Sequence, residues 1–110
     1  MESSENSSMA HAMDTLWIKF LPQMKERLAV LESANLALAE GSLSEDQRAA
    51  ANVAAHKLAG VLGTFGLTKG TVLAREAEVI YSGDIGTDPH AIEKLDNIAL
   101  QLKTHIANRK

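Results

Sequence analysis

The chain has 110 residues, enough for one domain with a single core and no staples. Its 45 % hydrophobic and only 4 % aromatic content calls for an aliphatic, Ala- and Leu-rich core of the kind that packs helix on helix. It has no cysteine and a net charge of −3, which excludes disulfides, thiol catalysis and thiolate metal sites and argues against nucleic-acid binding.

Residues 1–10 are rich in Ser, Glu and Asn and read as a disordered N-terminal arm, with the folded domain spanning 11–110. They lack the charged-then-apolar pattern of a secretory signal. No apolar run approaches the roughly 18 residues that cross a bilayer, so no membrane contact and a cytoplasmic location are expected. From Asp14, a plausible N-cap, an apolar seam begins: Met13, Trp17, Phe20, Met24, Leu28, Leu31 and Leu38 recur at helical spacing. Pro22 interrupts the seam, which predicts a short extra N-terminal helix, a kink or break, then a long helix to about Glu40, ended by Gly41.

The next helix is predicted to start at Ser44, because Ser44-Glu45-Asp46-Gln47 fits a capping box and places acids in the first turn. It ends near Gly63 to Gly66, glycines suited to closing a helix and turning the chain. A third helix spans about Thr68 to Tyr81, with Leu73, Ala77 and Ile80 inward. After the loop Ser82-Gly83-Asp84-Ile85-Gly86, Thr87 or Asp88 caps a last helix whose first position suits Pro89. Its seam is Ile92, Leu95, Ala99, Leu102 and Ile106. With no strand-like alternation anywhere, the fold class is all-α: an antiparallel four-helix bundle with a short extra N-terminal helix.

His56 carries the most information about function. At about 100° per residue, Ala51, Ala54, Leu58, Val61, Leu62 and Phe65 form one apolar stripe, and His56 points away from it. Within about 40° of His56 lie Ala49, Gly60 and Gly63. Each mid-helix Gly costs about 1 kcal/mol against Ala, so two beside one histidine suggest a requirement for access to the ring.

Other chemistries fit poorly. The histidines are 11, 56, 90 and 105, and none has a histidine partner at three or four, so no metal site is expected. No G-x-S-x-G run is present, and Gly60 to Gly70 lacks the order of a phosphate loop. An exposed neutral imidazole can still act as a nucleophile and accept a phosphoryl group on Nε2, provided a partner's active site can fit over it.

The run His56-Lys57-Leu58-Ala59-Gly60 followed by Gly63-Thr64-Phe65-Gly66 resembles the histidine phosphotransfer domain family. The second run is similar to that of the phosphotransfer domain of chemotaxis histidine kinases. The similarity extends from about Leu16 to Ile106. It implies a four-helix bundle with a phosphorylatable histidine at His56, a docking clearance at Gly60, an acid at Glu78 that orients the imidazole, and Lys57 near the phosphate charge. Gly63, Ala49 and Ala59 complete the expected docking face. Family members often carry Lys three residues after the histidine, where this chain has Ala59.

The implied function is a phosphorelay intermediate, exchanging a phosphoryl group between receiver-domain aspartates or from a sensor or hybrid histidine kinase to a receiver. The alternative is a non-catalytic helical adaptor that binds receiver domains. The chain has no room for an ATP-binding kinase module, so it is expected not to phosphorylate itself, whether it stands alone or is excised from a longer protein. No cofactor is expected in this chain, Mg²⁺ belonging to the receiver, and an HPt-like bundle can be complete as a monomer.

Overall fold

The structure is a computed structural model that describes residues 2–83, 85 and 88–109, with side chains described from Met9 onward. Among the described residues four helices follow in order: α1 Glu2–Ala39, α2 Glu45–Thr64, α3 Thr68–Ile80 and α4 Pro89–Asn108. No strand occurs among the described residues. Helix α1 packs on α2 and α4, and α3 packs on the same two, so the helices form a closed four-membered ring. Long-range bonds pair early residues of one helix with late residues of the next. Asn35 reaches Leu95, Asn52 reaches Glu78, and Ala59 is reached by Thr71, so neighbours run antiparallel.

The seams read from periodicity meet at the centre. Trp17, Met24, Leu28, Leu31 and Leu38 of α1 pack with Ala51, Ala54, Leu58 and Leu62 of α2, and with Leu95, Ala99, Leu102 and Ile106 of α4. On α3 the buried side is Gly70, Ala74 and Ala77, whereas Leu73 and Ile80 are only half-buried against it. Small residues here let α3 approach closely. A Cβ on Gly70 would stand 3.2 Å from Leu62 Cδ1 and 3.9 Å from Leu102 Cδ2.

Three expectations about α1 need correction. The helix is continuous from Glu2, so residues 2–10 extend it rather than forming an unstructured arm, and no separate short helix precedes Pro22. Ser, Glu and Asn each cost a helix well under 1 kcal/mol, and the segment holds no Gly or Pro to stop it. Pro22 removes one backbone bond, to the carbonyl of Ile18. Both residues are exposed, so water can take up that carbonyl while Trp17 and Met24 hold the helix on the core from either side. Asp14 therefore lies inside α1 and caps nothing; its carboxylate accepts from Arg109 at 2.8 Å, tying α1 to the end of α4.

The turns follow the local chemistry. Gly41 and Gly66 have φ of +73° and +72°, the left-handed region that favours glycine. In each, paired bonds close the preceding helix: Gly41 N–H to Leu38 O with Ser42 N–H to Ala37 O, and Gly66 N–H to Gly63 O with Leu67 N–H to Leu62 O. Gly63 keeps ordinary helical backbone. The Ser44 capping box forms with both bonds, and Asp88 caps α4 by accepting from His90 N–H with Pro89 at the first turn. Thr87, the other candidate cap, lies outside the described residues.

Phe65 closes the end of α2. Its ring meets Trp17 edge-on at 5.1 Å, and the Arg109 guanidinium lies 5.0 Å from the Trp17 ring and 5.4 Å from that of Phe65. One polar network sits at the core: Tyr81 O–H donates to Asn35 Oδ1 at 2.5 Å, and Asn35 Nδ2 donates to Leu95 O at 3.1 Å. Both residues are buried, so this network satisfies groups that would otherwise cost stability. Burial, with the charge of Asp96 adding to it, holds the Tyr81 hydroxyl well above the ordinary tyrosine range.

Candidate functional site

Helix α2 puts His56 and Leu58 on opposite sides of one cylinder. Leu58 and Leu62 are fully buried, while the His56 side chain is 68 % exposed. The imidazole is nevertheless fixed at one nitrogen. Glu78 Oε2, on α3 and 22 residues away, lies 2.8 Å from His56 Nδ1. A carboxylate only accepts, so Nδ1 carries the hydrogen and Nε2 of the neutral ring carries the lone pair. Nε2 makes no hydrogen bond among the described residues.

Two further contacts hold α3 in the register that brings Glu78 to the ring. Asn52 Nδ2, one turn before His56, donates to the backbone carbonyl of Glu78 at 2.8 Å. Arg48 donates to the carbonyl of Tyr81 at the end of α3. Arg48 is itself gripped by Glu45, whose oxygens accept from Nε at 3.1 and 3.0 Å. That bond lowers the Glu45 carboxyl below its usual range. The sequence signal for these residues was weak. Arg48, Asn52 and His56 follow one another at steps of four along an Ala-rich helix, which marks a shared edge and no partner.

Along α2 on the ring's own side, two glycines add no side chain. A Cβ built on Gly60 would meet nothing within 4 Å, and one on Gly63 only Thr71 Oγ1 at an ordinary 3.6 Å. Neither glycine is required by the packing of its own bundle. Ala49 is exposed about two turns before His56. It lines an open groove of about 470 Å³ between α1 and α2, with Arg27, Val30, Ala50 and Val53 among its walls. Val53, 47 % exposed beside His56, is an apolar surface residue that the sequence reading passed over.

Ala59 does not belong to this surface. It is 2 % exposed and packs in the core, its carbonyl accepting from Thr71 Oγ1 at 3.3 Å. At about 300° from His56 it falls on the side where α3 closes over α2, a rotation that a count of small residues near the histidine does not resolve. Lys57 is exposed and makes no hydrogen bond or ion pair among the described residues. It stands about 100° round α2 from His56, on the flank away from α3.

Among the described residues no group of three His, Cys, Asp or Glu side chains could hold a metal ion, and no helix is long and apolar enough to cross a membrane. An exposed imidazole with one nitrogen anchored and the other open, on a face stripped of bulk, suits the exchange of a group with another macromolecule.

Comparison with known proteins agrees. Protein RcaC of Microchaete diplosiphon is 35 % identical over 80 residues, covering 73 % of this chain and 12 % of that protein's length. No solved structure matches. The Hpt domain family matches residues 15–108, a span that takes in α2, α3 and α4, the greater part of α1, and both His56 and Glu78. The chain therefore belongs to the Hpt family of histidine phosphotransfer domains.

Proposed function

We propose that this chain relays a phosphoryl group between the aspartates of receiver domains, or from a sensor or hybrid histidine kinase to a receiver, through phosphohistidine at His56. Membership of the Hpt family gives the chain a phosphotransfer role in a phosphorelay and two-component kinases and receivers as its general class of partner. The observation that carries the finer reading is the His56–Glu78 pair: Nδ1 is held at 2.8 Å by a carboxylate while the ring is largely exposed and Nε2 makes no hydrogen bond among the described residues.

In the accepting direction, Nε2 attacks the phosphorus of an aspartyl phosphate. The N–P bond forms as the P–O bond breaks, and the aspartate leaves as carboxylate with the bonding pair. Nδ1 keeps its proton throughout, and the bond to Glu78 stabilises the positive charge that the ring gains. The return step reverses these events on a second receiver. Glu78 orients the ring, Lys57 contributes positive charge near the phosphate, and Gly60, Gly63 and Ala49 leave room for the receiver. Mg²⁺ acts in the receiver, and the chain needs no cofactor and no kinase activity of its own.

The test is incubation with a panel of phosphorylated receivers and Mg²⁺. An acid-labile, alkali-stable label on this chain supports the relay. Receiver binding without any label would leave a non-catalytic adaptor instead.

A further inference from the structure

One cationic side chain of α3 has no part in the relay so far. Thr71, Arg75 and Glu78 recur at four and three residues along α3, so they share one stripe of that helix. Two contacts fix the stripe against α2. Thr71 Oγ1 donates to Ala59 O at 3.3 Å, and Glu78 Oε2 meets His56 Nδ1 at 2.8 Å. The helices run antiparallel, with 59 opposite 71 and 52 opposite 78. Position 75 therefore stands opposite 55 and 56, level with the imidazole. By rotation Arg75 lies about 60° from Glu78, on the side away from the buried Ala74 and Ala77 and so toward solvent. It is exposed and makes no hydrogen bond or ion pair with any described residue. The nearest acid on its own stripe, Glu78, is engaged by His56.

We propose that the Arg75 guanidinium is the cation that faces the phosphoryl group on His56. The inference rests on the relay reading of His56. Position 59 supplies no charge here, because it is an alanine, and one buried in the core. Lys57 lies on the other flank of the ring, so Arg75 and Lys57 would bracket a phosphoryl group from α3 and from the α1 side. The division of labour follows from the side chains. The planar fork of arginine donates two parallel bonds to phosphate oxygens, whereas lysine acts as a point charge. Arg75 is also spaced one turn from Glu78, so one helix would orient the ring and neutralise what it carries.

The experiment compares the full chain with Arg75→Gln, Arg75→Lys and Lys57→Gln, using phosphoramidate as a small donor and a phosphorylated receiver as a large one. Arg75→Gln should slow transfer from both donors about tenfold, as expected for a lost charge-assisted bond. Arg75→Lys should recover part of that loss, and the melting temperature should move little, because the residue is exposed and its guanidinium has no hydrogen bond or ion pair with any described residue. On ¹⁵N-labelled protein, phosphorylation of His56 should shift the Arg75 Nε–H resonance. Transfer by Arg75→Gln within twofold of wild type, or an Arg75 resonance indifferent to phosphorylation, would overturn the proposal while leaving the relay intact. If the unmodified chain takes no label from either donor, the relay reading falls and this inference falls with it.

Discussion

Gly60→Gln sets stability against access in a single substitution. Gly60 lies in the interior of α2 with ordinary helical backbone, and a Cβ there would meet nothing within 4 Å. No packing is lost and none is crowded. Helix propensity then decides the sign, and Gln is a better helix former than Gly by about 0.5 kcal/mol. For a domain of this size that raises the melting temperature by about 2–4 °C. Docking should respond in the opposite sense. Gly60 is one turn beyond His56 and about 40° round the helix, so a long side chain rises where a receiver must descend on the ring. If the partner cannot yield, overpacking costs about 1–3 kcal/mol, which is about 5- to 150-fold in affinity. A small donor such as phosphoramidate should react at nearly the wild-type rate. The assays are a thermal melt, receiver binding by calorimetry, and transfer from both donors. A receiver affinity unchanged by the substitution would refute the idea that this glycine keeps a docking surface clear. A lower melting temperature would refute the picture of an open helix surface at residue 60.

Other expectations follow from the same contacts. Leu58→Ala empties a fully buried position on the core side of α2 and should cost about 2–5 kcal/mol in urea denaturation, while the remaining folded fraction still accepts phosphate; an unchanged midpoint would mean the helix face is wrong. Glu78→Ala should slow transfer without abolishing it, since its part is to hold Nδ1, and identical transfer rates together with an identical histidine NMR titration would return Glu78 to an ordinary surface acid. Tyr81→Phe leaves Asn35 Oδ1 without its donor and should cost about 1–3 kcal/mol at neutral pH. Burial raises the Tyr81 hydroxyl above its unfolded value, so its neutral form stabilises the fold fully below about pH 10 and that stabilisation is lost as pH rises beyond it. The wild type should therefore lose stability between pH 9 and 11 more steeply than Tyr81→Phe, and parallel curves from denaturation at those pH values would contradict the assignment.

The parts legible in the sequence are those with a strict period or a local rule. The seams of α1, α2 and α4, the Ser44 capping box and the Asp88-Pro89 start all depend on neighbours within a turn or two, and the structure has them. Pro22 does not break the helix because its cost depends on surroundings: an exposed site lets water replace the lost bond, and two flanking core residues keep the helix continuous through it. The Asn35–Tyr81 network was missed although Asn35 sits at four from Leu31 and seven from Leu28, on the seam itself. A polar residue on an apolar seam was the available signal. Its partner, 46 residues on, was not, because Tyr81 caps the end of α3 and lies off that helix's predicted seam of Leu73, Ala77 and Ile80. At the site, the outward direction of His56 followed from rotation alone. Glu78 came from resemblance, since nothing in spacing says which acid of α3 reaches across. Ala59 was misassigned because smallness is shared by surface clearances and by close helix contacts, and only the position of α3 tells them apart.

The most direct test of the account is the location of the label. Wild type and His56→Gln are each incubated with a phosphorylated receiver and Mg²⁺, and the chain is examined by ³¹P NMR and by acid and alkali treatment. The substitution is on the exposed face, so folding should stay within about 0.5 kcal/mol of wild type. The account predicts a phosphoramidate signal on Nε2 of His56, stable in alkali and lost in acid, and no label on His56→Gln. Label retained by the folded His56→Gln protein, or a wild-type label on another residue, would contradict it.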